Sequence, residues 1–233
     1  MTFIVAEIGV NWDGKKDLAR QMIQKSKELG CNAVKFQAFD EKNLGKHPEK
    51  DRLLDTAINE DNIEFIDNAS RDVGIEWFCT PMYADAVDLL EPFVKRYKIR
   101  EFDARLLLDN KKSLLLDKIF NSNKEIIASS EAIPSKLKQY DDSKLKWLYC
   151  MPKYPCSLED LNFFNMKNFD GYSNHCPNII APTAATILGS KIIEVHITSD
   201  KSLNFVDNNV SFDYNELKIM INYIRDCEKI MKN

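Results

Sequence analysis

The chain has 233 residues, 44% hydrophobic and 29% charged, with a formal net charge of -4. That composition excludes a disordered or collagen-like chain, and the charge excludes a global attraction to nucleic acid or to an anionic membrane surface. Any anionic ligand must therefore be held by locally placed Lys or Arg. The length suits a single domain over residues 1–233. Six cysteines are scattered without a CxxC pair, which points to reduced thiols in a cytoplasmic protein. The N-terminus meets Glu7 before any apolar stretch reaches signal-peptide length, and no run approaches the ~20 apolar residues of a membrane span.

Eight short β-branched or aromatic runs are predicted as strands, alternating with helix-like segments. The first, Phe3–Val10, is followed by a helical pattern from Asp17 that ends on Gly30, a residue suited to leaving a helix. After the second strand, Ala33–Phe39, the charged stretch Asp40–Asp55 contains Gly45, His47 and Pro48 and is expected as a mobile loop. Helical patterns at Asn62–Gly74, Asp85–Phe93 and Ser113–Phe120 separate the strands Ile75–Met82, Arg96–Asp103 and Lys124–Glu131. The strands Leu145–Met151, Gly171–His175 and Lys191–Thr198 follow, with a small-residue helix at Asn178–Gly189 before the last one. An irregular stretch, Ser199–Ser211, and a closing helix over Asp213–Met231 complete the chain. Repeated strand–helix alternation implies parallel strands, because parallel neighbours need a crossover. Eight such units in about this length predict a single (β/α)8 barrel of the TIM type, whose site lies at the C-terminal ends of the strands.

The polar residues that could do chemistry sit at those ends. His175 and His196 fall at the ends of consecutive strands, where two imidazoles can share one divalent ion or stand as hydrogen-bonded structural residues. Lys35 and Lys98 interrupt apolar strands, which is costly unless each charge is paired or answers a ligand. They fit a phosphate and a carboxylate, or internal ion pairs with Glu7 or Asp103. Glu7 could orient water or a substrate hydroxyl, or only neutralise Lys35. Thr80, Ser130 and Ser173 add hydroxyls, and Gln37, Tyr154 and Asp207 lie within or near the same strand ends.

The segments Ala6–Asn11, Ala33–Gln37, Phe78–Pro81, Tyr97–Ile99, Tyr154-Pro155, Gly171–His175 and Ile193–Thr198 resemble the sialic acid synthases and their legionaminate and pseudaminate relatives. The resemblance covers the barrel domain only, with nothing matching that family's C-terminal antifreeze-like domain. It implies a C–C bond-forming transferase of carbohydrate biosynthesis that condenses phosphoenolpyruvate with an open-chain aldose. The product would be a 3-deoxy-2-keto sugar acid. It further implies that His175 and His196 hold a divalent metal, manganese or magnesium, and that Lys35, Thr80, Lys98 and Ser173 cradle phosphoenolpyruvate. Gln37, Asp103, Ser130, Tyr154 and Asp207 are the implied substrate contacts, Asp207 and the lysines the implied participants in the chemistry, and Glu7 the implied handler of protons. A homodimer is compatible with this pattern, and neither nucleic acid nor membrane is expected as a partner. Departures are Trp12 where the family has His, Asn174 where it has Asp, and Ser129-Ser130-Glu131 where it has Ser-Thr-Gly. The fourth strand ends in Arg100-Glu101 in place of a small phosphate-binding turn, so Arg100 or Arg105 is expected to offset Glu101. These departures leave another metal-assisted barrel aldolase, or a non-catalytic family member, as alternatives.

Overall fold

The computed structural model describes residues 1–231. Strands β1 (Phe3–Glu7), β2 (Ala33–Ala38), β3 (Glu76–Pro81), β4 (Arg96–Ile99), β5 (Glu125–Ser130), β6 (Leu145–Cys150), β7 (Gly171–Asn174) and β8 (Ile192–His196) pair in chain order. All pairs are parallel, and β8 returns to β1 to close the barrel. Helix α1 (Lys16–Leu29) follows β1 and ends on Gly30, whose φ of 100° places it in the left-handed region glycine tolerates. Three helices, α2 (Glu41–Leu44), α3 (Lys50–Leu54) and α4 (Ile63–Val73), follow β2; α5 (Ala84–Leu90) follows β3. Helices α6 (Glu101–Leu108) and α7 (Leu114–Asn121) follow β4, α8 (Ile180–Ile187) follows β7, and α9 (Tyr214–Ile230) follows β8.

The eight-stranded closed barrel agrees with the alternation read from the chain, with three corrections. The stretch Asp40–Asp55 is no irregular loop: Asp40 and Asn43 form a reciprocal cap that starts α2, and α3 follows. The fourth strand stops at Ile99, because Glu101 and Asp103 place carboxylates in the first turn of α6, where the helix dipole favours them. The crossovers after β5 and β6 carry no α-helix among the described residues; Pro134 lies in the first, and Pro152 and Pro155 introduce the second. The β6–β7 segment instead makes two 3₁₀ turns, Leu158–Asp160 and Phe163–Asn168.

Strand register sorts the side chains by parity, since residues two apart share a face. Glu7 pairs with Lys35 on one side and His196 on the other, Gln37 pairs with Thr80, and Ser173 pairs with Glu194. One face of the strands therefore carries Glu7, Lys35, Gln37, Thr80, Lys98, Ser129, Ser173, Glu194 and His196 toward the barrel interior. The opposite face carries Ile4, Val34, Phe36, Trp77, Tyr97, Ile126, Tyr172 and Ile193 into the layer beneath the helices, where all are buried. At the N-terminal end of the barrel Arg96 bonds Glu76 at 2.6 Å and lies over the rings of Phe3 and Phe78. Gly171 lets β7 approach β8 closely: a Cβ there would stand 2.0 Å from the Ile192 carbonyl oxygen.

Candidate active site

The C-terminal ends of the strands open into a cavity of about 350 Å³. Glu7, Lys35, Thr80, Lys98, Ser173, His175 and His196 all line it, as do Gln37, Tyr154 and Asp207. Two expected residues do not. Asp103 lies on α6, where it pairs with Arg100 at 2.5 Å, and Ser130 is out of phase, its hydroxyl turned to the Ala132 carbonyl at 2.9 Å. The neighbouring Ser129 has the inward phase and takes the role of floor hydroxyl.

The floor is a network of buried charges. Lys35 Nζ lies 3.0 Å from Glu7 Oε2 and donates to Thr80 Oγ1 at 3.1 Å. Lys98 Nζ donates to Ser129 Oγ at 2.6 Å and lies 3.1 Å from Glu194 Oε1, so its carboxylate partner is Glu194 and not Asp103. Burial would push the Glu194 carboxyl up, but the two ammoniums of Lys35 and Lys98 outweigh it and hold the group down at about 2. Burial likewise opposes the charge on Lys35, and Glu194 and Glu7 overcome it, raising its pKa. Gln37 donates to Glu7 Oε1 at 2.7 Å and fixes that carboxylate from above. Glu194 was missed as a site residue, although its place two residues before His196 in Ile192-Ile193-Glu194-Val195-His196 puts it on the same strand face.

Above the floor, His175 and His196 stand with ring centroids 5.5 Å apart. His175 Nδ1 lies 3.0 Å from the Met151 carbonyl oxygen, so that nitrogen carries the donated proton. Burial, then repulsion from His196, push the His175 imidazole down to about 4. Its Nε2 lone pair is thus free at neutral pH. His196 Nδ1 faces Asp207 Oδ2 at 3.3 Å, with the Tyr154 hydroxyl 3.4 Å away. Asp207 is buried, which would raise its carboxyl, yet contact with His196 lowers it. The backbone N–H of Asp207 donates to Asn11 Oδ1 at 3.1 Å, and Asn11 in turn donates to the Ile197 carbonyl and to Ser211. Each imidazole is thus anchored through Nδ1 by an oxygen, an arrangement that orients Nε2 as a metal ligand. This donor set would fit a divalent ion held by the two imidazoles. Among the described residues no group of three or more His, Cys, Asp or Glu side chains makes a ready protein cage.

The outer wall is mostly apolar: Val10, Phe39, Leu44, Leu53, Met82 and Val206 line the cavity and pack as a cluster separate from the main core, with Asn43, His47 and Arg100 as further lining residues. The segments after β1, β2 and β8 are joined by Arg52, which bonds Asp13 at 2.6 Å, Glu49 at 2.6 Å and the Asn204 carbonyl at 2.7 Å. At the rim Glu101 lines the cavity and is offset by Arg105 at 2.8 Å, the compensation expected for it, while Arg100 is held by Asp103.

A family model described as the NeuB family matches residues 22–233. An N,N'-diacetyllegionaminic acid synthase of Legionella pneumophila is 30% identical, the match covering 98% of this chain and 73% of that protein. A pseudaminic acid synthase of Campylobacter jejuni is 27% identical over 98% of this chain and 74% of its own length. The structure of a sialic acid synthetase from Leptospira borgpetersenii superposes with a TM-score of 0.86 over all of this chain and 85% of that one. At 24% identity that likeness speaks for the fold. Spore coat polysaccharide biosynthesis protein spsE from Bacillus subtilis superposes at 0.81, with 27% identity over 99% of this chain and 69% of that one.

Proposed function

The chain belongs to the NeuB family of sialic acid synthases, and from that premise we propose that it condenses phosphoenolpyruvate with an open-chain aldose to form a 3-deoxy-2-keto sugar acid and phosphate. The observation that carries the reading is the convergence of two buried lysines and two oriented imidazoles on one cavity. A phosphorylated carboxylic acid needs fixed cations, and Lys35 and Lys98, with the hydroxyls of Thr80, Ser129 and Ser173, supply cations and donors on one floor. His175 and His196 would hold a divalent ion, manganese or magnesium, and polarisation of the aldehyde carbonyl is the chemistry such an ion supplies when bound. The nucleophilic carbon of phosphoenolpyruvate, held from below, then faces the aldehyde carbon held from above. Gln37 and Lys35 hold the Glu7 carboxylate at the level of His196, where it takes the proton of the water that replaces phosphate. Tyr154 and Asp207 orient the sugar hydroxyls beside the imidazoles.

The six apolar side chains of the outer wall suit an acceptor carrying uncharged apolar groups, such as acetamido or methyl substituents, better than one ending in a phosphate. Incubation with phosphoenolpyruvate, manganese and a panel of acetamido, deoxy and phosphorylated aldoses tests the reading. Phosphate and keto-sugar acid should appear in equal amounts with an acetamido sugar. Release of neither with any aldose would refute it, and turnover of phosphorylated aldoses alone would refute the assignment of the acceptor.

A further inference from the structure

The charges beneath the mouth do not form a simple cationic cradle. Lys35 and Lys98 contribute two positive charges and Glu7 and Glu194 two negative ones, every one of these side chains being 5% exposed or less. Glu7 touches one ammonium, that of Lys35, and its other oxygen is taken by Gln37. Glu194 reaches both: its Oε1 lies 3.1 Å from Lys98 Nζ and 3.7 Å from Lys35 Nζ, and accepts a hydrogen bond from Ser173 Oγ at 2.9 Å. Its Oε2 is buried without a hydrogen-bond partner among the described residues, although Glu194 lines the cavity. A buried carboxylate oxygen left unsatisfied is expensive, and this one belongs to a residue lining the cavity in which an anion is to be bound.

Two desolvated ammoniums with nothing to offset them would grip inorganic phosphate, a product of the reaction, and slow its departure. Resting on the synthase reading above, we propose that Glu194 is a positioning residue that tunes the anion site through the two lysines. Its Oε1 holds both ammoniums and the Ser173 hydroxyl around the phosphoryl position, and its negative charge keeps phosphate affinity low enough for release. A residue that merely props the fold would weaken phosphate binding when replaced. A counter-charge does the opposite, since its removal leaves the floor one positive charge in excess.

Calorimetric titration of the full chain with inorganic phosphate tests this. Glu194→Gln should bind phosphate at least tenfold more tightly than the wild type, and Glu194→Asp, which keeps the charge, should stay within about threefold of it. Equal or weaker binding by Glu194→Gln overturns the proposal. Should that variant fail to fold, Lys98→Met is compared with the double variant Lys98→Met, Glu194→Gln, which removes the whole pair. The double variant is expected to recover at least tenfold in phosphate affinity over the single one, and equal affinities would again overturn the idea. If the synthase reading itself is wrong, neither phosphate nor phosphoenolpyruvate binds the wild type. A wild type that binds both, beside an unresponsive Glu194→Gln, sinks only the role of Glu194.

Discussion

Ser129 and Ser130 are neighbours in the chain, yet only Ser129 meets Lys98, because a step of one residue along a strand turns a side chain to the other face. The same parity makes Glu194 an interior residue and ties it to both lysines. Its carboxyl is held at about 2 by those cations, against an unperturbed value of 4.5. A depressed carboxyl stabilises the fold fully above its unfolded value and loses that contribution as pH falls through the folded one. Urea midpoints should therefore drop between about pH 5 and pH 2, with a shallower slope in Glu194→Gln; identical slopes would show that Glu194 gains nothing from its partners. For the imidazoles, metal analysis of His175→Ala and His196→Ala should show loss of a bound divalent ion in each, and undiminished occupancy in both would remove the metal site. The residue types at the strand ends were legible in the chain because a charge inside an apolar run is conspicuous. Which carboxylate each lysine takes was not, since Lys98 and Glu194 are 96 residues apart in sequence and meet only once the barrel closes.

Among the elements, the covering segments diverge most from the reading of the chain. The stretch Asp40–Asp55 looked like a mobile loop because it holds Gly45, Pro48 and many charges, but its reciprocal Asp40–Asn43 cap is a local signal for a helix start. The expected fourth strand exceeds the observed one by four residues for a related reason: Arg100-Glu101-Phe102-Asp103 forms the cap and acidic first turn of a helix. Helices α1, α4 and α7 lie close to their expected ranges, because an apolar stripe of helical period with a left-handed glycine or a Ser cap needs no tertiary information. What ties the covers together is Arg52, whose three partners come from the segments after β1, β2 and β8. Replacing Arg52 by Ala should loosen that roof and raise the KM for the sugar about fivefold, roughly 1 kcal/mol for a partly exposed ion pair. The affinity for phosphoenolpyruvate, bound on the floor, should not change. An unchanged sugar KM would mean that the covers hold their positions without the clamp.

At the scale of the whole molecule, barrel closure is what converts scattered strand-end residues into one cavity, so the fit of each strand against the next bears on both stability and site. Gly171 marks a tight seam, with no room for a Cβ against Ile192. Gly171→Ala is expected to cost about 3 kcal/mol or more, as overpacking against rigid backbone does, and a thermal midpoint within a degree or two of wild type would show that β7 and β8 can part without penalty. The closed interior also explains why the lysines matter: their ammoniums, kept buried by Glu7 and Glu194, stand on the floor where an anion entering the cavity meets them out of bulk water. Calorimetric binding of phosphoenolpyruvate to the wild type, Lys35→Met and Lys98→Met is therefore the most direct measurement of the account. The wild type should bind, and each variant should lose roughly 2–5 kcal/mol of affinity, as expected for truncating one partner of a buried charged contact. Wild-type affinity in both variants would contradict an anion site on these two lysines.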